Sequence, residues 1–565
     1  MKDLCERLGS KVYPDNGIIG FGIEIGYSIA LILITIFLPE ILSFGDPILR
    51  SEMVGVGGFQ IMFFIIGIIL PIHFLRGEGF SFGGAGFGSG ARSKYGDQGS
   101  AKKGTSASLK GLTGNDGIVL SLKNRLSADK SCEHIAIIGP TGSGKSSCFY
   151  IPNLLEFDGK WSAVVTDPKG EMHDLCGPYL RSMGYRTLKL APLDTDSEFN
   201  YNPILIAENA DELDALAQLI LTNGGKSVEQ ATGSSSGGAE WIAMSQPLLA
   251  AAFIWARYCG KEKTIYEAVK FILDADLKTM ENEFKKNEAA YDKFLLFKTS
   301  GGSERTMSSI KTTLSSNVQL FTRESTKRFT STPAKRNADG KRVLDKNRLF
   351  NPKILRKEPT VVFICCPETQ SIAQMPLMSV LYSQTLEKCM EHKEGHKIMF
   401  LLDEFANIGI IPTIANIAAT ARSRGIALAI GLQGMEQLEE NYGQEKAANL
   451  LNNLKTKIIF SGLTGQSAEY ASQLTGVTTV ETTSFSRNSG QGFDILGTTS
   501  SSKNAVQRQL YTPDEIRRLN EDTVLIIAHN RDSVEDKKNS WFKQKKYKDR
   551  VQQGKEFDDP YGENE

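Results

Sequence analysis

An α/β domain built on a P-loop, interrupted by an inserted all-α domain and preceded by two transmembrane helices, is the fold class the sequence predicts. Three observations carry it. Two apolar runs near the amino terminus are each long enough to cross a bilayer. A glycine-rich octet follows a strand-like run, and strand signals alternate with helices on either side of a stretch with only helical periodicity.

The bulk composition excludes more than it assigns. The chain has 565 residues, enough for several domain-sized units, with 65 basic and 65 acidic side chains and a formal net charge of zero. Overall charge therefore points to no nucleic-acid partner, and any basic surface must be local. The eight cysteines include no C-x-x-C pair. That pattern fits neither a zinc site nor a secreted disulfide framework, and it suits a reducing cytosol. The six histidines show no ligand spacing.

The elements follow in order. Residues 1–76 read as a membrane domain, with spans at about 17–38 and 53–75. Each run is longer than the roughly 20 residues a helix needs to cross the hydrocarbon layer. Lys2, Arg7 and Lys11 precede the first span, and Arg76, Arg92, Lys94, Lys102 and Lys103 follow the second. The positive-inside bias puts both termini in the cytoplasm of a multi-pass protein. The first run starts too late, and lacks the small-residue cleavage pattern, for a signal peptide. Glu24, an acid within the first span, is read equally as a packing contact between protomers or as a hydrated interfacial residue. Residues 77–117, dense in Gly and Ser, read as a linker.

The nucleotide-binding domain is predicted over 118–206 and 329–536. After Ile135-Ala-Ile-Ile138 comes Gly139-Pro140-Thr141-Gly142-Ser143-Gly144-Lys145-Ser146, which fits G-x-x-x-x-G-K-[ST] at every position and leads on to Ser147. Glycines let successive backbone N–H groups turn inward as an anion nest, and a following helix adds its positive end. Lys145 supplies a charge for the β/γ-phosphates, and the Ser146 hydroxyl is placed to ligate Mg²⁺. Strand signals recur at 162–167, 187–190, 360–365, 396–403, 426–432, 457–460 and 523–528. Between them, 207–328 reads as an all-helical insertion, with Gly224–Gly238 as a Gly/Ser-rich break between two helices. Residues 537–565 read as a charged, solvated tail.

Downstream, Lys397-Ile-Met-Phe-Leu-Leu-Asp403-Glu404 is an apolar strand ending in two acids. In nucleoside triphosphatases with a phosphate loop, the first such acid steadies the metal shell and the second activates water. Asp403 is therefore assigned to magnesium and Glu404 to general base. Arg422 and Arg424 precede a strand that ends at Gln433. On composition both arginines read as surface charges, although an arginine here could complete a neighbour's site.

The ordered set of motifs resembles type IV secretion coupling proteins of the TraG/TraD kind, within the FtsK/HerA group of ring ATPases with RecA-like domains. It comprises Gly99-Ser-Ala101, the octet, Ile151-Pro-Asn-Leu-Leu155, Asp167-Pro-Lys-Gly-Glu171, Asn202-Pro203, Leu402-Asp-Glu-Phe-Ala406, Ala421-Arg-Ser-Arg-Gly425, Leu432-Gln433 and Leu510-Tyr-Thr-Pro-Asp-Glu515. The resemblance implies an ATP- and Mg²⁺-dependent homohexamer in the bacterial inner membrane. It would act with inner-membrane secretion components, bringing a relaxase with its single-stranded DNA, or effector proteins, to the channel. It also implies that Arg422, rather than Arg424, is a finger reaching a neighbouring site, and that Gln433 senses the γ-phosphate. A receptor platform for protein effectors with little DNA role is the alternative, and a double-strand DNA translocase the third reading. Lys285, Lys286, Lys311, Lys327 and Arg328 are candidate DNA contacts, although solvated helix faces explain them as well.

Overall fold

A computed structural model describes residues 99–558, apart from 196, 234–238, 302, 337–341 and 488–498. The predicted spans, Glu24 and residues 77–98 of the predicted linker lie outside the described residues. Among the described residues, no helix is long and apolar enough to cross a membrane.

The strands are β1 (Lys103–Gly104), β2 (Ile135–Ile138), β3 (Trp161–Thr166), β4 (Arg186–Leu190), β5 (Ala334–Arg336), β6 (Arg342–Leu344), β7 (Thr360–Ile364), β8 (Lys397–Leu402), β9 (Ile426–Leu432), β10 (Thr456–Ile459), β11 (Val477–Arg487), β12 (Thr499–Gln509), β13 (Thr523–Ala528) and β14 (Ser533–Lys537). Ten of them form one sheet in the order β1-β14-β13-β10-β2-β9-β8-β3-β7-β4. From β10 to β4 every pairing is parallel. On the other side, β13 runs antiparallel to both β10 and β14, and β1 pairs in parallel with β14. Strands β2 and β9 are buried at every residue, as parallel strands covered by helices on both faces must be. Alternation divides their side chains between two cores. Ala136 and Ile138 face one that extends into the helical insertion, while Ile135 and Ile137 face the other.

The insertion begins with the helices Ala210–Thr232 and Ala239–Tyr258 and continues through Ile265–Asp274, Leu277–Phe284, Glu288–Gly301 and Glu304–Val318. Its interior is aromatic: Trp255 stacks on Phe271 with ring centres 4.3 Å apart, and Phe271 meets Phe284 edge-on at 5.5 Å.

Three sequence expectations need correction. The Gly/Ser stretch from Gly224 was read as a break, but the first helix runs through it to Thr232. Gly224 is there because a Cβ would come within 2.2 Å of the Asn317 carbonyl oxygen, so glycine permits a close crossing despite its poor helix propensity. Replacing Gly224 with Val is expected to lower stability by about 2–3 kcal/mol, read as a drop in unfolding midpoint, whereas Gly233→Ala, at the helix end, should cost less. The second correction concerns the linker's last part: Leu109 and Leu112 are buried in the second core, and the Ala101 N–H donates to the Val477 carbonyl.

The third concerns the tail. Lys545–Asp558 is a helix packed on Glu171–Ser182, with Tyr547 fully buried. Arg550 donates to the Leu155 carbonyl at 2.6 Å, and Lys546 pairs with Glu156 at 2.7 Å. Charged side chains at the rim hid this helix, because their charge signals solvent while Tyr547 and Val551 alone mark its apolar face.

Candidate nucleotide-binding site

The octet forms the turn between β2 and the next helical segment, at the carboxyl edge of the parallel strands. Gly142 and Gly144 have φ of 78° and 92°, the left-handed region that glycine enters without a Cβ penalty. The Lys145 side chain folds back under the loop, its ammonium donating to the Gly139 carbonyl at 2.7 Å and the Pro140 carbonyl at 3.4 Å. Lys145 is only 6% exposed, and burial lowers its pKa. Thr141 is exposed, the Ser143 hydroxyl is buried without a partner, and the Ser147 hydroxyl donates to the Gly144 carbonyl at 3.2 Å.

The two acids sit beside the loop. The Ser146 hydroxyl donates to Asp403 Oδ2 at 2.6 Å across 257 residues of sequence. This contact is possible because β9 alone separates β2 from β8, and β8 delivers Asp403 to the same edge. Asp403 is 6% exposed, and its Oδ1 has no hydrogen-bond partner. Burial pushes this carboxyl above the usual carboxylate range, opposed by the Ser146 hydrogen bond and the Lys145 charge. A hydroxyl, a carboxylate with an orphaned oxygen and an anion nest form a donor set that fits a hard divalent cation held against a polyphosphate.

Glu404 follows in a left-handed conformation, φ 58°. Two amides fix its carboxylate: Gln433 donates to Oε1 and Asn407 to Oε2, both at 3.0 Å. Burial raises its pKa first, then the carboxylates of Glu368 and Asp403. A strained backbone held by two side-chain hydrogen bonds aims a carboxylate that is poised to accept a proton.

Lys145, Ser146, Asp403, Glu404 and Gln433 are therefore brought together. Arg422 and Arg424 are not. They precede β9, whose seven residues separate them from Leu432 and Gln433 by roughly 20 Å along the strand. Arg422 is exposed and pairs with the buried Glu133 at 2.8 Å, whereas the Arg424 carbonyl accepts a hydrogen bond from Arg356. An arginine at that edge cannot reach its own chain's loop. Sequence reasoning missed Asn407, which stands in a short 3₁₀ turn after Glu404, and Lys538, whose ammonium donates to the Ser143 carbonyl at 2.7 Å. The spacing from Glu404 could have flagged Asn407; nothing local could have flagged Lys538.

A phosphate loop at the carboxyl edge of a parallel sheet, with a strand-end acid bonded to its serine, defines the class: a P-loop nucleotide-binding domain. Residues 99–562 match the family model described as type IV secretory system conjugative DNA transfer, and the chain belongs to that family. It is 24% identical to protein VirD4 of Rhizobium radiobacter over 70% of this chain and 55% of that one. With conjugal transfer protein TraG of Escherichia coli it shares 23% identity over 68% of this chain and 62% of that one. The chain thus spans little more than half the length of these relatives. Its fold is similar to that of the plasmid coupling protein TrwB in complex with the ATP analogue ADPNP, with a TM-score of 0.59, 18% identity, and coverage of 82% of this chain and 97% of that one. TrwB has also been solved with ADP and Mg²⁺.

Proposed function

We propose that this protein is a membrane-anchored ATPase that couples substrate to a type IV secretion channel and drives transfer by ATP hydrolysis in conjugation. The observation that carries the catalytic part is the Ser146–Asp403 hydrogen bond, which joins the two motifs a nucleoside triphosphatase needs. ATP with Mg²⁺ is the nucleotide proposed, as relatives of this fold are solved with ADPNP and with ADP and Mg²⁺.

The geometry supports a role for each residue. The loop from Gly139 to Ser147 would cradle the phosphates, with Lys145 moving from the loop carbonyls to them. Ser146 and Asp403 would hold the magnesium ion, whose chemistry is to neutralise charge on the phosphate oxygens. Glu404 takes a proton from the attacking water, and its raised pKa suits that task. Gln433 donates to Glu404 and would sense the γ-phosphate. Arg422, remote from its own loop, would act on a neighbouring protomer, which motivates a homohexameric ring. The ring would sit at the inner membrane with both termini cytoplasmic, in contact with inner-membrane secretion components. Its substrate would be a relaxase bound to single-stranded DNA.

Hydrolysis by the full chain in detergent, with and without single-stranded DNA, tests this reading alongside mass photometry. DNA is expected to stimulate turnover and shift the mass toward hexamers. Turnover indifferent to DNA but stimulated by an effector protein would replace the DNA substrate with a protein one.

A further inference from the structure

The phosphate loop is touched by a segment from the far end of the chain. Strand β14 ends at Lys537, and the next residue carries its ammonium to the Ser143 carbonyl oxygen at 2.7 Å. Lys538 is held from three directions. Its N–H donates to the Asp522 carbonyl at 2.8 Å, and its ammonium lies 4.9 Å above the centre of the Phe460 ring. Two residues on, the Ser540 hydroxyl contacts the Cys148 thiol at 3.2 Å, in the helical turn that follows the loop. Phe460 also packs on the loop's first glycine, where a Cβ on Gly139 would come within 2.6 Å of the Phe460 Cβ. The ammonium is half-buried, and burial lowers its pKa. The molecule keeps a partly desolvated cation directly behind the loop.

The position of this contact has a stereochemical consequence. A trans peptide turns its carbonyl oxygen and its N–H to opposite sides. Anchoring the Ser143 carbonyl therefore fixes the Gly144 N–H on the side away from Lys538. That N–H has no acceptor among the described residues, and Gly144 is in the left-handed conformation that turns the chain there.

We propose that Lys538 is a second cation of the phosphate loop, a positioning residue that holds the Ser143–Gly144 peptide with its N–H turned toward a bound polyphosphate. Its charge also adds to the potential of the nest, where hydrogen bonds and field act together on an anion. The proposal rests on the nucleotide reading given above. It assigns binding work to the stretch after β14, which sequence reasoning placed in a solvated tail. A merely structural role for Lys538 would make its loss lower stability and leave nucleotide affinity alone.

The experiment measures fluorescent ATP-analogue affinity in the presence of Mg²⁺, using the full chain in detergent, for wild type, Lys538→Met, Lys538→Arg and Lys145→Ala. Lys538→Met is expected to weaken binding about tenfold, Lys538→Arg to restore it to within about twofold, and hydrogen exchange at Gly144 to quicken in the Met variant. Weakening by Lys145→Ala alone, with Lys538→Met at wild-type affinity, would overturn this inference and leave the site intact. Affinity unchanged in both would instead overturn the nucleotide reading, and this inference with it. Should Lys538→Met fail to fold, Lys538→Gln keeps a donor and removes the charge. It is then expected to bind about threefold more weakly, and unchanged affinity would again overturn the proposal.

Discussion

Replacing Glu404 with glutamine is expected to reduce ATP turnover by about two to four orders of magnitude, as loss of a general base does, while nucleotide still binds. The same change should raise the stability of the nucleotide-free protein at pH 7.5. Glu404 has a folded-state pKa above its ordinary value because of burial and the neighbouring Glu368 and Asp403. Such an acid contributes its full stability below the unfolded pKa, where it is protonated in both states, and loses that contribution as pH rises through the folded value. Glutamine does not ionise; its carbonyl can still accept from Gln433, and its amide can donate to Asn407 once that side chain turns its own carbonyl toward it. The unfolding midpoint of Glu404→Gln should therefore lie above wild type at pH 7.5, and the gap should close as the pH falls toward 4.5. A gap that persists or widens on acidification would show that Glu404 is not held as an unfavourable buried charge.

The second large effect concerns Arg422. Arg422→Ala is expected to lower turnover by about three orders of magnitude, the scale associated with an arginine that stabilises the transferring phosphoryl group. It should do so with little loss of stability, because Arg422 is an exposed side chain on a short turn. Its partner Glu133, although 7% exposed, keeps the Lys130 ammonium at 2.8 Å. Since Arg422 stands at the opposite edge of the sheet from its own phosphate loop, the defect should appear in neighbouring sites. Mixing wild-type and Arg422→Ala protomers one to one should reduce turnover by more than half when a ring's sites fire in concert, and wild-type protomers should be rescued when Arg422→Ala protomers are removed. In a mixture of Lys145→Ala and Arg422→Ala protomers, each inactive alone, a Lys145→Ala protomer can lend its Arg422 to the intact phosphate loop of an Arg422→Ala neighbour. Turnover above that of either variant therefore supports an arginine acting between protomers, whereas turnover proportional to the wild-type fraction in the wild-type mixture argues against it.

The parts of this molecule legible in the sequence are those set by short-range patterns. The octet and the strand before it define each other, because an anion nest needs glycine at fixed spacing and a buried parallel strand needs an unbroken apolar run. Asp403 and Glu404 were legible for the same reason, as acids at the end of such a run. The Arg422 segment was legible as a motif, but only the strand direction of β9 places it beyond reach of its own loop. Long-range contacts left weaker traces. Gly224 resembles a flexible break in one dimension and is a packing device in three, because its reason lies at Asn317. The hairpin β11–β12, with 11 residues in each strand, was missed because Thr- and Ser-rich strands outside the main sheet lack the apolar alternation that marks a buried one. Lys538 was invisible because its function depends on a carbonyl 395 residues away.

The pairing of β1 with β14 gives the molecule a mechanical line. Lys103 lies opposite Ser533 and Gly104 opposite Val534, and Lys538 follows four residues after Val534. The chain just upstream is fastened as well, through Gly99 to the Thr479 hydroxyl and through Ala101 to the Val477 carbonyl. A tug on the chain ahead of Gly99 is thus borne first by these few hydrogen bonds. Slippage of β1 along β14 would reach the phosphate loop through one short, nearly inextensible span of backbone.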